Sequence, residues 1–466
     1  MAKLLRFGEI KTVFPSNLST NICNNMNVNA LLLRTSFWVS DFLKGSPIRK
    51  PYREICYIQE HSYEKTFPLR EKKMLDLLSF ARKHSLFYKN ISRSDLKLFP
   101  VMNKLSLIQS YDAIRVAEEN IPGQEGPVFI QTTSGSTGVP FRIPQDTRKR
   151  CRRVAELKYF GKIVGFKTHD KLIHLRTWNK WQKKTAKQIK KENIIPFDIA
   201  CLDNENLQRL CELLQSSEAV CLRGYASTLG KLAEYANGKN CSFPHLKIAI
   251  AGAETLFDDV RMLYKRVMKS DIISQYANEE CGIMAQEKIG QSDDSNPMYL
   301  NHASYFFEFL KMNSDEPVEF GELGRIVITD MYNYAFPLIR YDTGDVGMLL
   351  PPDEHSHGYP ILGKLGGRIF DLTYSTTGIP IYPLTFGRIL KHYENIIQWQ
   401  FVQEGEKEYY LNLILRKEDP VIESVIDKFK EYLGDDAQIT IRIVDDIPIL
   451  ASGKRKCVVN NWETKK

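Results

Sequence analysis

The chain has no Cys-x-x-Cys pair. Its nine cysteines (Cys23, Cys56, Cys151, Cys201, Cys211, Cys221, Cys241, Cys281 and Cys457) are scattered over 466 residues. An odd, dispersed set argues against a disulfide framework or a paired-thiolate zinc knuckle and for a reducing compartment. No run approaches the roughly 20 apolar residues of a membrane span. The opening MAKLLRFGEIKTVF is broken by Arg6, Glu9 and Lys11, so a signal peptide's apolar core is missing and a cytoplasmic location is expected. Net charge is a mild +8, far from the dense basic face of a nucleic-acid binder, although it suits an anionic small molecule. Internal repeats and low-complexity tracts are absent too. What is present is ordinary globular material, 43% hydrophobic and 26% charged, long enough for two or three domains.

Residues 28–45 and 69–88 carry apolar side chains at helical spacing. From about residue 127 short apolar runs (VFI, LIHL, AVCLRG, LKIAIAG) alternate with amphipathic stretches such as ENLQRLCELLQ and TLGKLAEYANG. That alternation predicts strand–helix units around a mostly parallel sheet, an α/β fold. After about residue 370 the texture changes. EYYLNLILRK and QITIRIV have period two, with Ile439, Ile441 and Ile443 on one face, and DPVIESVIDKFKEYLG between them reads as one helix closed by Gly434. A small α+β unit is expected there. PPDEHSHGYP (351–360) reads as a surface loop.

FIQTTSGSTGVPF (129–141) gathers hydroxyl and glycine residues behind an apolar run. Ser and Thr hydroxyls with flexible amides can converge on phosphate oxygens at a strand's end. No Gly-Lys-Ser/Thr follows, so it is not a Walker loop, and GYASTLGKL (224–232) misses both that spacing and the final hydroxyl.

The order of the motifs that follow resembles the adenylate-forming superfamily, which activates carboxylates with ATP. Within it the pattern is similar to the phenylacetate–CoA ligase branch, with its polysaccharide- and capsule-biosynthesis relatives. Thr133, Ser134, Gly135, Ser136, Thr137 and Gly138 through Pro140 match that family's phosphate loop, with Phe141 where a lysine is frequent. IAIAGAETL (248–256) resembles its Gly-Gly-Glu segment, here Gly252, Ala253 and Glu254. SQYANEECG (274–282) resembles Tyr-Gly-x-Thr/Ser-Glu, with Ala277 and Glu279 as departures. PLIRYDTGDVG (337–347), GGRIFDL (366–372, with Phe370 at the usual hinge position and Asp371 after it) and the Ser-Gly-Lys of IPILASGKRKCV (447–458) complete the series. LFPVMNKLSL, around Pro100, is similar to the segment that precedes the loop.

The resemblance implies an architecture and a set of roles. A large N-terminal adenylation domain (1–369, with 1–85 least assigned) would be followed by a small mobile C-terminal lid (370–466). The loop residues would grip the triphosphate, Tyr276 would lie on adenine, Asp345 would accept the ribose hydroxyls and Arg368 would reach ribose and phosphate. Glu280 would hold Mg²⁺, since a hard cation wants carboxylate oxygens. Tyr225, Ala251, Ala277 and Asn278 would line the acyl pocket, and Lys454 on the lid would be the catalytic lysine. ATP and Mg²⁺ are implied, with coenzyme A as the acceptor thiol. An amine of an amino sugar or amino acid is the alternative acceptor, and an inactive scaffold is the alternative of another class. Relatives suggest a homodimer.

Each motif alone has an ordinary reading: core for Tyr276, a turn cap for Asp345, a surface ion pair for Arg368, an exposed turn for Lys454. Six in a fixed order are much harder to attribute to coincidence. His302 lacks companion cysteine pairs, so it is expected to be structural, with no zinc. Residues 171–191, basic with two tryptophans, read as a solvated helix face, or as a docking patch for an acidic acceptor.

Overall fold

The computed structural model describes residues 28–132, 141–178, 184–239, 241–290, 296–368, 372–381, 383–390, 392–393, 395–415, 424–447 and 456–462. It opens with three helices, α1 (Val28–Leu43), α2 (Arg49–Gln59) and α3 (Tyr63–His84). Asp41, at the end of α1, accepts from the backbone N–H groups of Ile48 and Arg49 at 2.9 and 3.0 Å. This carboxylate caps the start of the next helix, where donors lack intrahelical partners. Two short helices follow, α4 (Lys104–Gln109) and α5 (Tyr111–Ile114), and then the antiparallel pair β1 (Phe129–Thr132) and β2 (Arg142–Gln145).

Helix α6 (Thr147–Ile163) starts at Asp146, whose Oδ1 accepts from the Lys149 amide at 2.7 Å while Oδ2 accepts from the Tyr334 amide at 2.8 Å. Its sequence, TRKRCRRVAELKYFGKI, looks solvent-facing, yet Lys149 and Arg152 are buried. Lys149 pairs with Asp330 at 2.6 Å and Arg152 with Glu54 of α2 at 2.6 Å. Such buried charges are tolerated only with partners, and here they tie α6 to both α2 and the sheet.

The strand–helix region follows in alternation: β3 (Leu172–Arg176), α7 (Ala186–Glu192), β4 (Ile194–Asp198), α8 (Asn204–Ser216), β5 (Cys221–Tyr225), α9 (Ala226–Ala236), β6 (Ile248–Gly252), α10 (Asp258–Met268) and β7 (Asp271–Asn278). Strands β8 (Gly282–Glu287), β9 (Met298–Leu300), β10 (Tyr305–Leu310), β11 (Leu323–Asp330), β12 (Tyr341–Leu350) and β13 (Ile361–Arg368) extend the same sheet. Its order is β10-β11-β12-β13-β9-β8-β7-β6-β5-β3-β4. From β4 to β7 the neighbours are parallel, and beyond β7 they are antiparallel. One face of the parallel half packs on α8, α9 and α10 through Leu175, Leu222, Ala249, Ala251 and Tyr264, and the other meets the end of α6 through Ile250, Ile273 and Val164. Burial on both faces is why these strands read as continuous apolar runs.

The remainder comprises β14 (Thr373–Tyr374), β15 (Pro380–Ile381), α11 (Pro383–Leu390), β16 (Ile396–Gln403), β17 (Glu408–Leu415), α12 (Ser424–Leu433), β18 (Gln438–Ile443) and β19 (Val458–Asn460). A four-stranded sheet, β18-β17-β16-β19, packs on α11 and α12 around Phe386, Phe401, Tyr409 and Phe429. The expected α/β architecture with a small C-terminal α+β unit is present. One expectation is corrected: the first part of 171–191 is the strand β3, with Leu172, Ile173 and Leu175 buried, and among the described residues of this stretch the helix is α7. The run LIHL, already strand-like by its apolar residues, outweighs the basic residues that follow it.

Candidate functional site

The carboxyl ends of parallel strands are where open α/β sheets hold ligands. Tyr225 ends β5, Gly252 ends β6, and Tyr276, Ala277 and Asn278 end β7. Register carries Tyr225 beside Gly252, and Gly252 beside Gln275. These expected site residues therefore share one edge of the sheet. Ala251 departs from the expectation. Strand alternation sends its methyl into the core on the far face, so only its backbone borders the edge.

At the next position Ala253 has φ +64, a left-handed conformation that disfavours any residue with a Cβ. The family's glycine at this place has that physical reason. The turn lets Glu254 fold back, where its Oε2 accepts from the Ser227 N–H at 2.9 Å, at the start of α9. Anionic oxygen is favoured at a helix N-terminus.

Tyr276 and Asp345 lie in different strands, and the fold joins them. Between β11 and β12 the register shifts, Arg325 facing Val346 but Val327 facing Asp342, so Thr343, Gly344 and Asp345 bulge out of the ladder. Gly344 takes φ +75 at this bulge, as a bulged strand often requires. Asp342 is held back by Arg325 at 2.6 Å, while Asp345 is swung towards β7. The Tyr276 hydroxyl donates to Asp345 Oδ2 at 2.7 Å and approaches Thr343 Oγ1 at 3.3 Å. Burial, then the Asp345 charge, holds the Tyr276 phenol well above its usual range, so it stays a donor. Arg368, at the end of β13, is in register with Asp345.

Glu280 lies in the β7–β8 turn and is only 7% exposed. The Lys104 ammonium lies 3.8 Å from its Oε1. Lys104 is a residue that the motif series did not single out. Its signal was the LFPVMNKLSL segment. Met102 pairs with Tyr341 by donating to the Arg340 carbonyl and accepting from the Asp342 amide, both at 2.9 Å. Asn103 then caps α4 and delivers Lys104 to Glu280. A carboxylate beside a flexible lysine suits a hard cation that arrives with phosphates, which needs only one or two protein carboxylates.

Beside this edge Gln131 Nε2 donates to Glu279 Oε2 at 2.9 Å, and Arg153 donates to the Glu279 carbonyl at 2.7 Å. Glu279 thus anchors β1 and α6 to the turn after β7. His302 stacks on Tyr359 at 4.6 Å and is held neutral, its pKa pushed down to about 3 by burial and by Arg70. Its Nε2 lies 3.2 Å from the Pro360 carbonyl. The 351–360 loop is therefore anchored at its end by Tyr359. The phosphate-loop residues Thr133–Gly138, together with Phe370, Asp371 and Lys454, lie outside the described residues.

Residues 373–461 match the CapK C-terminal domain family. Over 439 residues the chain is 23% identical to Protein CapK of Staphylococcus aureus, covering 90% of this chain and 94% of that protein. A stretch of 144 residues, 30% of this chain and 32% of the relative, is 26% identical to phenylacetate-coenzyme A ligase of Pseudomonas putida. Among solved structures, 2-hydroxyisobutyryl-CoA ligase in its postadenylation state with 2-HIB-AMP superposes with a TM-score of 0.70 at 16% identity, over 86% of this chain and 91% of that one. The same ligase in its thioesterification state gives 0.55 at 17% identity, over 86% and 91%. Motif order, fold and relatives point the same way: residues 373–461 match the CapK C-terminal domain family, and the chain as a whole resembles the adenylate-forming superfamily and its phenylacetate–CoA ligase-like branch.

Proposed function

We propose that this protein activates a carboxylic acid with ATP, forming an acyl-adenylate and pyrophosphate, and then transfers the acyl group to the thiol of coenzyme A with release of AMP. The observation that carries the reading is the Tyr276–Asp345 pair at the carboxyl edge of the sheet, an aromatic surface beside a two-oxygen acceptor. Such an acceptor can take both hydroxyls of a ribose.

In the first step the substrate carboxylate oxygen attacks the α-phosphorus in line, and the bond to the bridging oxygen breaks to release pyrophosphate. Charge grows on the phosphoryl oxygens, so donors and cations placed in advance lower the barrier. Arg368 and Lys454 supply them in this reading, with Thr133–Gly138 on the β and γ groups. Magnesium, when bound, neutralises phosphate charge, and Glu280 would hold it. Tyr276 and Asp345 fix base and sugar so that the α-phosphorus faces the acid lying by Tyr225, Ala277 and Asn278. The near-full-length likeness to Protein CapK keeps an amine acceptor as the second reading. Products formed with coenzyme A or with an amino sugar distinguish the two.

Acid-dependent exchange of labelled pyrophosphate into ATP tests the first step. Lys454→Ala should lower exchange by about two to four orders of magnitude with AMP affinity little changed. A protein that binds AMP but exchanges with no carboxylic acid would instead be an inactive scaffold.

A further inference from the structure

One face of strands β3 and β5 carries an unusual set of side chains for the floor of an acyl pocket. Alternation places His174 and Arg176 of β3 on the same face as Arg223 and Tyr225 of β5, and His174 is in register with Arg223. Arg223 lies two residues inward from Tyr225, below the edge where the acid would sit.

The Arg223 guanidinium donates to the Gln275 side-chain carbonyl, a neutral partner, and no carboxylate among the described residues pairs with it. That carbonyl is aimed by a buried chain of hydrogen bonds. Gln275 Nε2 donates to Gln286 Oε1, and Gln286 Nε2 donates to the Phe160 carbonyl at 3.0 Å. Arg176 stands over the Trp178 ring at 5.4 Å. Trp178 is fixed by its Nε1 donating to the Phe197 carbonyl at 3.2 Å and by an edge contact with His174. Burial, then Arg223, Arg176 and Lys184, push the His174 pKa down to about 3, so the local field is positive.

Glu254 and Glu279 act on the Tyr225 phenol at the same edge, but neither forms an ion pair with Arg223. Asp198 accepts from the Ala200 amide, Glu254 from the Ser227 amide, and Glu279 from Gln131. Arg223 is half-buried, and a guanidinium partly withdrawn from water without a counter-charge carries a cost that an apolar residue there would not. An anion delivered by a ligand offsets that cost and uses the planar fork of donors in full.

We propose that Arg223, seconded by Arg176, binds a second anionic group of the acid substrate, a carboxylate or phosphate remote from the carboxylate that is activated. This rests on the adenylation reading above and names the substrate class within it.

The test compares pyrophosphate exchange driven by malonate, succinate and 3-phosphoglycerate with exchange driven by propionate, butyrate and benzoate, in the wild type, Arg223→Gln, Arg223→Lys and Arg176→Gln. The expected result is a kcat/KM favouring a two-anion acid by at least about 30-fold, the worth of a buried charge pair. Arg223→Gln should erase most of that ratio through KM, Arg223→Lys should restore part of it, and Arg176→Gln should reduce it less. Equal use of singly charged acids, or a ratio unmoved by Arg223→Gln, overturns the proposal. Exchange with none of these acids counts against the adenylation reading, and direct binding then decides the pocket. A rise in melting temperature with malonate or 3-phosphoglycerate in the wild type, lost in folded Arg223→Gln, supports it, and no such rise overturns it.

Discussion

The Phe257 ring lies 5.4 Å from that of Trp399, tilted by 56°, and so joins the segment before α10 to strand β16 of the C-terminal sheet. A Cβ added at Gly387 of α11 would meet Phe257 Cδ1 at 2.5 Å. Phe257 therefore seats against two elements of the C-terminal unit, and Gly387 is the residue that lets it in. An aromatic pair of this kind contributes about 0.5–1.5 kcal/mol beyond its buried area. Phe257→Ala should depopulate the present arrangement by about 2- to 12-fold. Faster hydrogen exchange in α11 and β16 is the readout, and unchanged protection there would remove Phe257 from this role.

Asp345→Asn keeps the size of the acceptor but removes its charge. Hydrogen bonds to charged groups contribute about 1.5–3 kcal/mol, so AMP affinity measured by calorimetry should drop by about 10-fold or more. Tyr276→Phe keeps the ring and deletes only the 2.7 Å bond. It should lower stability by about 0.5–1.5 kcal/mol and weaken AMP less than the aspartate change does.

Ala253 occupies φ +64. Ala253→Gly relieves about 1 kcal/mol of backbone strain and should raise the urea midpoint, whereas Ala253→Val should lower it. Identical midpoints for all three proteins would mean that the turn relaxes in solution.

Glu156 of α6 has both carboxyl oxygens buried, with the Ser304 hydroxyl as a weak partner at best. Burial raises its pKa above the ordinary 4.5, although Lys149 and Arg152 oppose the shift. The folded state therefore binds the proton more tightly than the unfolded chain does. Its contribution is full below the unfolded value and is lost as pH rises through the folded one, with a slope of at most about 1.4 kcal/mol per pH unit. Glu156→Gln should flatten that dependence and gain stability at pH 8 relative to pH 5. Urea titrations at both pH values give the comparison, and parallel losses in the two proteins would contradict it.

The candidate site was legible in the sequence wherever a motif is contiguous. Gly252, Tyr276, Asp345 and Arg368 were named from local patterns, and the fold gathers them because each ends or interrupts a strand of one sheet. Helices α1, α8 and α9 were likewise visible from spacing. Lys104 and Thr343 were harder to see. The first reaches Glu280 only because Met102 pairs with β12, and the second matters only through a bulge.

The order of elements and the motif segments at the strand ends were thus written in one dimension, since strand ends, turns and helix caps depend on neighbours a few residues away. Which charges would be solvated and which buried was decided by the tertiary structure alone. Lys149 and Arg152 look like any basic helix face until Asp330 and Glu54 arrive from distant segments. Arg223 looks like any strand residue until the fold sets it beside a neutral glutamine. Counter-charge is a property of three-dimensional neighbourhood, and no local spacing records it.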